Sequence, residues 1–169
     1  MESGPVVRNA DRDDVMAICR FGEEYVRARY APLIGEEAAA LQVRRWWNET
    51  NIAGAVARGS IVVAGDGGRL AGVGQCGLDA GEHVICKLYA HPGHRGLDAR
   101  LLDVLIGRLP ADAGRVYAEH LAADERAGAF FEREGFTVAR IEPSATGDPR
   151  LDVVRRLGSA FVIGSRRPS

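Results

Sequence analysis

The stretch LYAHPGHRGLDARLL, Leu88 to Leu102, decides the fold. It extends an apolar run, is punctuated by Pro92, Gly93 and Gly96, and from Leu97 repeats apolar residues at helical spacing. It therefore reads as a strand end, a turn and the first turn of a helix, with His94 and Arg95 at the corner. Such a junction has backbone N–H groups without intrahelical partners, and basic side chains beside them suit an anion. Asp98 stands where the helix begins, and a carboxylate there caps the helix and opposes an anion. The stretch is a phosphate cradle or a capped helix, and both readings stay open.

Upstream, HVICKLYA (His83 to Ala90) supplies the strand that enters this junction. Before it, SIVVAG and RLAGVGQCG are two apolar runs separated by DGG (Asp66 to Gly68), which is hairpin punctuation between antiparallel strands. VVRNA (Val6 to Ala10) is a short strand, and Asp11 to Asp14 give a cap and first-turn acids for a helix. That helix carries Val15, Ile18, Cys19, Gly22, Tyr25 and Val26 at three-to-four spacing, an apolar face that should pack on a sheet. A second helix over Glu36 to Trp47 follows the APLIG break, and NETNIAG (Asn48 to Gly54) is expected to end it.

Downstream, DARLLDVLIGRL is a helix with Leu101, Leu102, Leu105, Ile106 and Leu109 inward, stopped near Pro110. RVYAEH (Arg115 to His120) is a strand, ADERAGAFFEREG a helix closed by Gly135, FTVARI a strand, and RLDVVRRL (Arg150 to Leu157) the last strand. The order β-α-α-β-β-β-α-β-α-β-β predicts the α/β class, with a mixed, mostly antiparallel central sheet flanked by helices. Residues 1–157 are expected to form one domain, and residues 158–169, ending GSRRPS, a loose basic tail.

The 169 residues carry 22 Lys plus Arg against 23 Asp plus Glu, so no charge excess draws the chain to nucleic acid or an anionic membrane. MESGPVVRNA has no apolar leader region and no apolar run reaches bilayer length, so a cytoplasmic location is expected. Cys19, Cys76 and Cys86 are widely spaced with no CxxC pair, so neither a disulfide framework nor a metal site is expected; they read as buried small hydrophobes.

The element order, KLYAHPGHRGLDARLLDVL and the later DERAGAFFEREGF together resemble the GNAT superfamily of acyl-CoA-dependent N-acetyltransferases. The resemblance spans roughly Val6 to Leu157. It implies that a strand ending LYVxP is followed by a loop of the type Q/R-x-x-G-x-G/A, whose amides and helix N-terminus hold the pyrophosphate of acetyl-CoA. Carried onto this chain, the cofactor residues are Leu88, Tyr89 and Ala90, then His94, Arg95, Gly96, Leu97, Asp98, Ala99 and Arg100. The family's later motif, N-x-x-A-x-x-F-Y-x-x-x-G-F, adds Asp124 and Phe131. The physics agrees: a diphosphate needs several convergent donors, and Gly93 and Gly96 let backbone approach it closely. The strand at Leu88 to Ala90 would present its backbone to the pantetheine amides, as one strand pairs with another.

The sequence also departs from the family. Matching Arg95-Gly96 to the family's RG leaves out the next two residues of the loop, and matching GLDARLL to GIGxxLL leaves the loop before Gly96 two residues short; either way Asp98 takes the position of the last glycine or its neighbour. A carboxylate ~4 Å from a phosphate charge costs about 1 to 4 kcal/mol, whereas the same carboxylate as a cap stabilises the free helix by about 1 kcal/mol. Arg95 and Arg100 bracket it and can draw it aside. Asp124 replaces the family's asparagine, and Phe131 stands where a tyrosine commonly supplies an acid. A thiol has a pKa near ~8.5, so its thiolate is a tolerable leaving group, and a missing acid slows transfer by roughly a hundred- to ten-thousandfold without forbidding it.

For the base, the family's strand position holds Val84; Glu82, two residues earlier on the same face, and His120, at the end of the neighbouring strand, are the expected proton acceptors. The acceptor region is expected at the first two helices, where Tyr25, Tyr30, Trp46 and Trp47 offer aromatic surface and Glu23, Glu24, Glu36 and Glu37 offer charge.

The reading is thus acetyl transfer from acetyl-CoA to a primary amine of a small molecule or peptide by direct attack, with no metal, no nucleic-acid or membrane partner, and a homodimer allowed. The alternative is a GNAT-fold protein with weak or no acetyl-CoA binding that acts as a binding or regulatory partner.

Overall fold

The computed structural model describes residues 4–66 and 69–165. These fold into two compact units, the first taking residues up to Gln75 with Lys87–Leu105, the second Cys76–Cys86 with the residues from Ile106 onward.

In the first unit β1 (Val6–Asn9) pairs antiparallel with β2 (Ile61–Asp66), and β2 antiparallel with β3 (Arg69–Asp79). β4 (Glu82–Ala90) follows in the strand order. β2 ends at Asp66 and β3 begins at Arg69; Gly67 and Gly68 of the DGG punctuation lie outside the described residues. On one face of β3, Gly72 and Gly74 admit helix α5 (Leu97–Gly107): a Cβ on Gly72 would lie 2.9 Å from Leu101 Cδ1, and one on Gly74 3.1 Å from Leu105 Cδ1. Leu97, Leu101, Leu102 and Leu105 are buried there.

The other helices differ from expectation at two points. Asp11 is the expected cap and forms a capping box with Asp14, but helix α1 (Val15–Phe21) continues through a π turn (Gly22–Val26) into α2 (Arg27–Ile34). A π turn adds a residue to the repeat and rotates the buried face, so Phe21, Gly22, Val26, Tyr30 and Ile34 are buried while Tyr25 is only half-buried and Cys19 is partly exposed. The APLIG break falls at its glycine, Gly35, with φ 92°. Helix α3 (Glu36–Trp46) ends at NETNIAG as expected, but a further helix, not expected, begins within that stretch. Asn48 Oδ1 accepts from Asn51 N at 2.9 Å and caps a further helix, α4 (Glu49–Ala57), which buries Ile52 and Ala55. The same polar residues both follow one helix and start the next.

In the second unit β4 runs parallel to β5 (Arg115–Leu121) over Val84↔Tyr117 and Ile85↔Ala118. The strand order continues through β7 (Val153–Ser159) to β6 (Thr137–Glu142), both pairings antiparallel. Helix α6 (Glu125–Arg133) lies under β5, with Phe131 and Phe136 in its core. The expected tail boundary falls inside structure: Ser159 still pairs with Arg115, and α7 (Ala160–Ser165) buries Ile163 against Gly158. The remainder of that segment, residues 166–169, lies outside the described residues. The described residues thus give a mixed, mostly antiparallel sheet of seven strands flanked by helices, the class expected.

Candidate active site

The junction after β4 is built by short backbone bonds. His91 N donates to Ala71 O at 2.8 Å, His94 N to His91 O at 3.1 Å, and Leu97 N to His94 O at 3.2 Å. Gly96 has φ 78°, a conformation that favours glycine, and its carbonyl accepts the first helical bond from Arg100 N at 3.1 Å. Among the described residues, the amides of Arg95, Gly96 and Asp98 meet no backbone carbonyl. Leu97 is buried and anchors the helix end, while Arg95 and Arg100 are exposed. Asp98 sits inside the first turn rather than at the cap, and its carboxylate accepts from Ala99 N at 2.8 Å. It therefore takes an amide adjoining that set, the one of Ala99. Both readings of the sequence are present together: a cluster of unmatched amides at a helix N-terminus, and a carboxylate among them.

The strand leading in is held from the α1 side. The Tyr25 hydroxyl donates to Ala90 O at 2.8 Å, and Tyr30 and Tyr89 share a hydroxyl–hydroxyl hydrogen bond. Trp47 is buried with its ring 5.5 Å from that of Tyr89 and 6.1 Å from that of Phe21, whereas Trp46 is half-exposed. Lys87, buried, donates to Gln75 Oε1 at 2.9 Å and lies 5.2 Å from the Trp47 ring. The cations Lys87 and Arg29 thus face the aromatic wall, while Glu23, Glu24, Glu36 and Glu37 are exposed. Beside the junction a cavity of about 510 Å³ is lined by Phe21, Tyr25, Ala71, His91 and His94, with Arg20, Arg69 and Glu24 among its other walls.

The second unit holds the other expected residues. Glu82 is bound through both carboxylate oxygens by Arg115, which holds its carboxyl below the usual range. His120 accepts from Arg156 Nε at Nε2, 3.0 Å away, so its proton is on Nδ1, 2.9 Å from Leu121 O. Burial lowers its pKa further, and its ring stacks on Phe131 at 6.3 Å. Neither arrangement frees a proton acceptor. Asp124 is buried and caps α6 through Ala127 N at 3.2 Å, and Phe131 belongs to the core.

The residue that the sequence reading passed over is Glu119. It is half-buried beside His120 but on the opposite face of β5, and burial pushes its carboxyl above the usual range against the pull of Arg155. A carboxylate inside the apolar strand RVYAEHL was the available signal. The cysteines divide: Cys86 is exposed, against expectation, whereas burial raises the thiol of Cys19 and pushes Cys76 up to about 12. No group of metal-binding side chains occurs among the described residues, and none of their helices is long and apolar enough to cross a membrane.

Solved structures share this fold. The PaiA N-acetyltransferase of Thermoplasma acidophilum, solved with coenzyme A, superposes with a TM-score of 0.74 at 15% identity, covering 93% of this chain and 99% of its own. A GCN5-related N-acetyltransferase from Rhodopseudomonas palustris gives 0.75 at 20% identity over 94% and 98%. Arabidopsis thaliana Naa50, in complex with the bisubstrate analogue CoA-Ac-MVNAL, gives 0.68 at 16% over 93% and 99%. No curated protein matches the sequence. The acetyltransferase (GNAT) family model matches residues 20–136, a span that begins in α1 and takes in the β4–α5 junction, β5 and α6. With motif, fold and family model in agreement over most of its length, the chain belongs to the GNAT acetyltransferase family.

Proposed function

We propose that the protein transfers an acetyl group from acetyl-CoA to a primary amine of a small molecule or peptide in the cytoplasm. The observation that carries this reading is the set of amides at Arg95, Gly96 and Asp98, opened by the left-handed Gly96 and backed by the helix N-terminus. Leu88, Tyr89 and Ala90 would align the pantetheine, and the segment from His94 to Arg100 the diphosphate. PaiA with coenzyme A and Naa50 with a CoA–peptide analogue support an acyl-CoA donor and a peptide-like acceptor.

The neutral amine nitrogen attacks the thioester carbonyl; the C–N bond forms, the C–S bond breaks, and CoA leaves as thiolate. Glu119 takes the proton that the amine releases. Its raised carboxyl suits that task at neutral pH better than Glu82, held ionised by Arg115, or His120, whose Nε2 is already occupied. Phe131 offers the thiolate no proton, so solvent supplies it.

One observation favours a second reading, a binding protein without turnover: the Asp98 carboxylate sits on the Ala99 amide that a diphosphate would use. CoA thiol release distinguishes the two, with acetyl-CoA and a panel of a free-N-terminus peptide, a lysine peptide with a blocked N-terminus and an aliphatic diamine. Amine-dependent release that falls by about a hundredfold or more in Glu119→Gln supports transfer. No release above solvent hydrolysis with any of the three classes supports the binding protein.

A further inference from the structure

Arg155 is the most deeply buried charged group on the sheet face that carries Glu119. It lies on β7 directly opposite Glu119 on β5, and only 4% of its surface is exposed. Its Nη2 lies 2.8 Å from Asp79 Oδ2, and its guanidinium sits 5.0 Å from the centre of the Tyr117 ring, two residues along β5 from Glu119. On its other side Arg140 of β6 stands opposite it, already paired with Glu142 at 2.8 Å.

We propose that Arg155 is a positioning residue for acyl transfer, holding the Glu119 carboxylate in place for proton abstraction through the 3.2 Å contact of its Nε with Oε1. This rests on the reading of Glu119 as the proton acceptor. The contact is an ion pair without an aligned hydrogen bond, since the buried Nε–H finds no acceptor in good geometry. Charge therefore fixes the carboxylate while its lone pairs stay available to an incoming N–H. Asp79 draws the same guanidinium through Nη2, so the hold on Glu119 is shared.

The charged groups that face Glu119 are Arg155 on β7, Asp79 on β3, and Glu142 and Arg140 on β6. Arg155 and Arg140 favour its ionised form; burial, Glu142 and Asp79 oppose it. Removing Arg155 must raise the carboxyl's midpoint and removing Asp79 must lower it. A merely structural role for Arg155 predicts no such opposed pair.

The test is a carboxyl ¹³C NMR titration of the full chain, with the Glu119 resonance assigned by its loss in Glu119→Gln. Relative to wild type, Arg155→Met moves the Glu119 midpoint to higher pH, Arg155→Lys leaves it close to wild type, and Asp79→Asn moves it to lower pH. The acid limb of kcat/KM moves in the same directions with acetyl-CoA and whichever panel amine is turned over, because the amine's own ionisation is common to all variants. Arg155→Met also lowers kcat at pH 7 by about tenfold with KM for acetyl-CoA unchanged, part of the factor a positioned base supplies. Should Arg155→Met not fold, the exposed Asp79→Asn decides alone: a midpoint that fails to fall overturns the proposal. An unmoved midpoint in Arg155→Met, or shifts of the same sign in Arg155→Met and Asp79→Asn, also overturn it. Full activity in Glu119→Gln removes the base assignment and this inference with it; lost activity there with an unmoved Arg155→Met midpoint removes this inference alone.

Discussion

Arg156 Nε donates to His120 Nε2 at 3.0 Å, and because a guanidinium only donates, the imidazole is neutral with its proton turned to Leu121 O. Burial reinforces this, placing the folded-state pKa of His120 below its ordinary value. The unfolded chain then binds a proton near pH ~6.5 that the folded chain resists. This contribution to stability is present above that pH and is lost as pH falls below it toward the folded-state value. Thermal melts between pH 5 and 7.5 should show a steeper loss for wild type than for His120→Gln, which keeps an acceptor for Arg156 but does not titrate. Equal slopes would rule out the assigned state.

The Tyr25 hydroxyl is a partner for the carbonyl of Ala90 at the end of β4. Tyr25→Phe leaves that part-buried carbonyl without it and should cost about 1 kcal/mol in urea unfolding. Because Ala90 leads into the junction, acetyl-CoA should also bind the variant more weakly. A variant with unchanged stability would show that the bond is incidental.

Gly72 has no room for a side chain: a Cβ would lie 2.9 Å from Leu101 Cδ1 and 3.0 Å from Tyr89 O. Leu101 can shift by a rotamer, but the strand carbonyl cannot. Gly72→Ala should therefore destabilise by roughly 1 to 3 kcal/mol, as overpacking does. Measurement of the unfolding midpoint at constant m-value checks this, and a neutral substitution would contradict the tight β3–α5 contact.

The Asp98 carboxylate occupies the Ala99 amide in the first turn of α5. Releasing that amide and removing a negative charge should tighten acetyl-CoA binding in Asp98→Gly by about tenfold, corresponding to ~1.4 kcal/mol at a partly solvated site. Equal or weaker affinity in the variant would show that Arg95 and Arg100 already neutralise it.

The sequence made the strand-turn-helix at Leu88 to Leu102 legible because proline, glycine and apolar periodicity all act locally there. The antiparallel pairing of β2 with β3 and the Gly135 stop were legible for the same reason, and Gly135 has φ 98° in the structure. Helix α4 was hidden because Asn48 and Glu49 read equally as a break or a cap, and only the burial of Ile52 and Ala55 decides. The π turn was hidden because it follows from packing: Gly22 lies so close to Trp47 that a Cβ would sit 2.7 Å from its side chain. Glu119 was missed for a longer-range reason. Burial raises its carboxyl while Arg155, opposite it on β7, pulls it down, and that setting depends on strand pairing that RVYAEHL alone does not announce. Glu82 and His120 are engaged by partners, Arg115 and Arg156, that are equally remote in sequence.

In the proposed reaction the β4–α5 junction holds the diphosphate of an acyl-CoA. Calorimetric titration of the wild-type chain with acetyl-CoA tests it most directly, with Asp98→Gly titrated alongside. Saturable binding of one acetyl-CoA per chain, tightened in Asp98→Gly, is the predicted result. No measurable heat for either protein at high-micromolar acetyl-CoA would contradict it.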